Sequence, residues 1–135
     1  MESYHYRKIK SGLAYVERLL LDMEDALAGK QHTFSRTRNN LTDEQALAAK
    51  AEIKKLHALL KKAKETFNLE HDEYALSHVI DVDSSYIWET LEDLWSHKVE
   101  KSSGKIHSLE QKEQLDKIIR QLYERTTELQ NIVEK

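Results

Sequence analysis

The chain has 135 residues, with no cysteine, no proline and only three glycines. That length suits one domain over residues 1–135 with its own core. Lack of cysteine excludes disulfides, thiolate metal sites and a cysteine nucleophile, and the scarcity of helix breakers points to an all-α chain. The net charge of -3 conceals a division: residues 1–68 carry 13 Lys/Arg against 9 Asp/Glu, and residues 69–135 carry 8 against 15, so a basic half precedes an acidic one.

The first predicted helix covers about residues 3–28. Tyr6, Ile9, Leu13, Val16, Leu20, Met23 and Leu27 recur by three and four, which lines one face of a helix. Gly29 follows where a left-handed cap is wanted. Gly12, inside this helix, suggests a close approach by another helix. A loop, Lys30–Leu41, leads to a second helix near 42–67. Thr42 is its cap, Asp43 and Glu44 fill its first turn, and Ala49, Ile53, Leu56, Leu60, Ala63 and Phe67 make its apolar stripe.

The stretch Asn68–Asp83 is too long for a structureless connection and leaves room for an additional short helix at 69–80. Asp83, Ser84 and Ser85 are N-cap types and predict the start of a third, shorter helix near 85–100. Its periodic residues are Ile87, Trp88, Leu91, Leu94 and Trp95. After a Ser102-Ser103-Gly104 turn, Ser108 with Gln111 reads as the capping box of a fourth helix near 108–134. Three helices of about 26 residues, roughly 39 Å each, and one shorter one predict an antiparallel up-down four-helix bundle. Such strict spacing also suits a helical homodimer.

Three groups of residues bear on function. The first is basic. Lys50, Lys54 and Lys61 lie along one edge of the second helix, and Arg36 and Arg38 stand in the loop before it with Phe34 between charges. Cations beside an aromatic can take phosphates and stack a base. Lysines flanking an apolar stripe also simply cover it with their stems, and the acidic third helix offers them a counter-charge. The second group would hold a metal: His71, His78, Asp81, Glu89, Asp93 and His97. His71 and His78 are two turns apart, too distant to share an ion, and no Glu-x-x-His occurs to complete a carboxylate-bridged centre. A solvated face is the simpler reading, and no cofactor is expected.

The third group is a catalytic one that the sequence lacks. Ser11, Ser35, Ser77 and Ser96 are not on nucleophile turns, and glycines at 12, 29 and 104 alone cannot build a phosphate-cradling loop. The start of the chain is polar and charged, and the longest purely apolar run is Leu19–Leu21, so neither a secretory leader nor a membrane span is expected and the cytoplasm is the expected compartment. The expectation is a non-enzymatic regulatory or adaptor module that binds another protein or a second copy of itself. A nucleic-acid module using the basic loop and stripe is the first alternative, and a metal-dependent helical hydrolase or sensor the second.

Overall fold

The computed structural model describes residues 1–134, which form five α-helices and no strand. They fall into two compact units, Met1–His71 and the chain from Asp72 onward.

The first unit pairs α1 (Ser3–Leu27) with α2 (Asp43–Thr66). Both helices end in the same way. Gly29 takes φ 84° beyond α1, with Gly29 N–H donating to Ala26 and Lys30 N–H to Asp25, at 3.0 Å each. Beyond α2, Asn68 takes φ 51°, and Asn68 and Leu69 donate to Glu65 and Lys64. Both are left-handed caps that satisfy the last carbonyls; Asn68 does this as the one non-glycine residue with positive φ among those described. Thr42 starts α2 through a reciprocal box: Gln45 N–H donates to Thr42 Oγ1 (3.1 Å) and Thr42 N–H to Gln45 Oε1 (3.0 Å). Leu20 and Ile53 are the buried apolar centres of the pair.

The second unit pairs α3 (Leu76–Glu92) with α5 (Leu109–Glu134), and the short α4 (Ser96–Ser103) packs on α5. Asp81 meets Gln130, Trp88 meets Tyr123 and Ser96 meets Asp116. The numbers rise on α3 as they fall on α5, so the two helices run antiparallel. Leu91 and Ile119 are buried at this contact together with Ser84, Thr126 and Gln130.

Several expectations need correction. The third helix is not one rod over 85–100. It begins at Leu76, stops at Glu92, and a new helix starts at Ser96. Asp83, Ser84 and Ser85 therefore cap nothing and lie inside α3. Ser85 Oγ donates back to the Asp81 carbonyl (3.2 Å), as hydroxyls inside helices do, and Ser84 is 1% exposed against α5. No short helix covers 69–80, because residues 69–75 are irregular. The Ser108 box is half formed: Gln111 N–H donates to Ser108 Oγ (3.2 Å). A Cβ at Gly12 would meet nothing within 4 Å, so no helix approaches it closely. Leu56, expected at the centre of a buried stripe, is 43% exposed because α1 packs against Ile53, one side of it.

Candidate binding surfaces

The loop between α1 and α2 is built, not slack. The Gln31 side-chain amide brackets Thr37, its Nε2 donating to the Thr37 carbonyl (2.9 Å) and its Oε1 accepting Thr37 N–H (2.8 Å). Inside that bracket His32 N–H donates to the Ser35 carbonyl (3.1 Å). These three bonds pinch residues 31–37 into a miniature hairpin with Thr33 and Phe34 at its tip, and Phe34 is fully exposed. Leu41 N–H donates to Asn39 Oδ1 (3.0 Å) and fixes the return to α2.

Around this loop the basic residues separate into two groups. Lys30 is held by Asp25 (3.1 Å), Lys55 by Glu52 (3.0 Å), and His57 by Glu24 of the facing helix. Arg36, Arg38, Lys50, Lys54 and Lys61 are exposed and make no ion pair among the described residues. Two adjoining cavities bring part of this set together. One, of about 420 Å³, has Leu27 and Ile53 as its floor and Lys50, Lys54 and His57 at its rim. The other, of about 340 Å³, shares Leu27 and Ile53 and is edged by Arg38 and Asn39. Arg38 and the Lys50–Lys54 turn therefore flank the same apolar floor.

The alternative metal residues do not converge. His71 precedes α3, His78, Asp81 and Glu89 ride on α3, Asp93 is its C-cap residue and His97 is on α4. Among the described residues no three His, Asp or Glu side chains are placed to hold an ion. Asp81 instead accepts from Gln130 Nε2 at 2.8 Å.

The α3–α5 contact mixes polar and apolar side chains, Ser84, Thr126 and Gln130 with Leu91 and Ile119. Ser84 Oγ and Trp88 Nε1 are buried with no hydrogen-bond partner among the described residues, and the Trp88 ring stacks on Tyr123 at 5.5 Å and 13°. Asp116 caps α4 from the neighbouring helix: its Oδ1 accepts Ser96 N–H (2.8 Å) and its Oδ2 accepts Ser96 Oγ–H (2.7 Å). The bond from Ser96 N–H, then that from its hydroxyl, hold the Asp116 carboxyl below the ordinary aspartate value. Glu100 closes the α4–α5 turn. It pairs with Lys112 (2.6 Å) and accepts Ile106 N–H (3.1 Å), and these bonds lower its carboxyl as well.

Polar side chains enter the contact because the broadest apolar arc of this unit faces elsewhere. Successive helical residues turn by about 100°. Leu76 and Ile87 thus sit about 60–80° to one side of Ser84 on α3. Ile118, Leu122 and Leu129 sit about 60–100° to the same hand of Ile119 on α5. Because the helices are antiparallel, an equal turn of one hand carries both sets to one side of the pair. All five side chains are exposed, Ile118 at 53%. The α1–α2 pair repeats the arrangement with Val16, Leu19 and Met23 beside Leu20, and Leu56 and Leu59 beside Ile53. Sequence periodicity places the α5 residues on an apolar stripe but not their direction; the available signal is the width of the arc, which exceeds what one partner helix covers.

No family model, no curated protein and no solved structure matches the chain.

Proposed function

We propose that the chain is a non-catalytic protein-interaction module, regulatory or adaptor in kind, that binds through the apolar flank of α3 and α5. One observation carries the reading: five exposed aliphatic side chains, Leu76, Ile87, Ile118, Leu122 and Leu129, share one side of a helix pair whose own contact buries Ser84, Thr126 and Gln130 beside Leu91 and Ile119. Contiguous apolar surface of this kind marks an interaction site. A helix pair with such a flank is completed by another helix pair, and the occupant in this reading is a second copy of the chain, giving a two-fold contact.

Charge supports a second copy. Asp83 lies on the flank of α3 and Arg125 on that of α5, both exposed and without an ion pair among the described residues. In a two-fold antiparallel contact each Asp83 has an Arg125 of the other copy to meet. Sedimentation velocity of the full chain and of Leu122→Lys/Leu129→Lys tests the reading. The expected result is a concentration-dependent dimer that the double variant, with unchanged helicity, converts to a monomer. A wild-type chain that stays monomeric at high micromolar concentration would refute it.

A further inference from the structure

We propose that the Gln31–Thr37 hairpin and the lysine edge of α2 form a site for single-stranded nucleic acid, in which Phe34 stacks on a base while Arg36, Arg38, Lys50 and Lys54 take the neighbouring phosphates. This site uses the first unit and is independent of the α3–α5 flank.

The first support is the state of Phe34. An exposed aromatic at the end of a slack loop means little, but this one is presented by a turn closed twice, by the Gln31 amide on Thr37 and by His32 on Ser35. A ring already held out in its working position loses little freedom on binding, which is the condition for a small contact to be useful. Stacking needs only one face of one ring and tolerates any base.

Charge is the second support. Between Lys30 and Thr42 there is no carboxylate. Lys30 is engaged by Asp25, which leaves Arg36 and Arg38 as the free cations of the loop. Arg38 edges the cavity whose floor, Leu27 and Ile53, it shares with the one rimmed by Lys50 and Lys54. The loop cations and the lysine edge are therefore one array. Lys54 follows Lys50 by one turn, about 6 Å along the helix, and Lys61 extends the edge to roughly 16 Å. Two other basic neighbours are occupied, Lys55 by Glu52 and His57 by Glu24, while Lys62 and Lys64 are exposed beside Lys61. The chain as a whole is net negative, so a strand is held only by this local array and only while salt is low.

A membrane surface is a poorer fit. The loop offers a single phenyl among Gln31, Thr33, Ser35 and Thr37, and one small apolar anchor with a few cations gives marginal bilayer binding. A duplex is a poorer fit too, because its bases are stacked on each other and present no face to Phe34.

Two carboxylates stand beside the array: Glu24, which lines the cavity and is engaged by His57, and Asp43, which sharpens the test. Asp43 stands seven residues before Lys50, on the same edge of α2, where a strand running from the loop to the lysines must pass it. Fluorescence anisotropy of the full chain with labelled oligo-dT and oligo-rU, titrated with salt, is the measurement. About four phosphate contacts give a slope near -3 for log affinity against log salt on single strands. Phe34→Ala should weaken binding about tenfold with the slope unchanged, since it removes a stack and no charge. Arg36→Ala/Arg38→Ala should reduce the slope by about 1.4. Asp43→Asn should tighten binding severalfold, a gain that misfolding cannot produce. No single-strand binding at low salt, a preference for duplex over single strand, an Asp43→Asn variant that binds no better, or capture by phosphatidylserine vesicles in place of oligonucleotides would each overturn the proposal.

Discussion

Asp116 provides the most direct test of how the second unit is held together. Its carboxylate supplies the N-terminal cap of α4 from a different helix, making two bonds to Ser96 at 2.8 and 2.7 Å. Loss of a side-chain cap costs about 0.5–2 kcal/mol, and the carboxylate also faces the positive end of the α4 dipole, a further ~0.3–1 kcal/mol. Asp116 is half-buried, so the discount for solvent is partial, and Asp116→Ala should cost about 1–2 kcal/mol. The chain has two tryptophans, Trp88 and Trp95, both in the second unit. Urea unfolding followed by tryptophan emission therefore reads that unit selectively. With a denaturant slope of about 1 kcal/mol/M for so small a unit, the midpoint should fall by about 1–2 M. The effect must depend on pH with a definite sign. The carboxyl is held below its ordinary value when folded, so the unfolded chain takes up the proton more readily. The contribution is complete above the ordinary aspartate value of about 3.9 and is lost as pH falls through the lowered folded value. Wild type and Asp116→Ala should thus differ at neutral pH and converge in acid. An unchanged midpoint at pH 7, or a difference that persists undiminished in acid, would show that the carboxylate is not the cap.

Two further substitutions probe packing. Ser84→Ala should leave thermal stability unchanged or raise it, because the buried hydroxyl has no partner to lose among the described residues; a drop of several degrees would reveal a bond that Ser84 makes. In the first unit Ile53→Ala should cost about 2–4 kcal/mol and Leu56→Ala much less, measured by helicity on heating, since Ile53 is buried and Leu56 is not. Equal losses would mean that Leu56 is covered.

What the sequence made legible follows from the range of the interactions involved. The ends of α1 and α2 were readable because their determinants are local: Gly29 supplies a positive φ, and Thr42 meets an amide three residues on. The break between α3 and α4 was not readable. The group that starts α4 is Asp116, twenty residues from Ser96 in the chain, and nothing between Trp88 and Glu100 announces it. The reverse error arose at Asp83, Ser84 and Ser85. These residues cap helices when the chain before them is not helical, but α3 is already running from Leu76, and inside it Ser85 turns its hydroxyl to the i-4 carbonyl.

The binding surfaces were legible as composition and not as geometry. The cations at 36, 38, 50, 54 and 61 could be listed from the sequence, yet whether they were engaged depended on which of them had an acidic side chain within reach. Lys55 and His57 did, and these five do not. Gln31, an unremarkable polar residue in a loop, proves to be the one that converts a flexible basic segment into a braced turn. The apolar stripes present the complementary case. Spacing by three and four tells which residues share a side of a helix, but an arc wider than one neighbour can cover leaves open which half is packed. On α5 the packed half takes Ile119, Thr126 and Gln130, while Ile118, Leu122 and Leu129 remain outside. A helix pair that buries Ser84, Thr126 and Gln130 beside Leu91 and Ile119 while leaving other leucines and isoleucines exposed keeps a large source of binding energy for another surface.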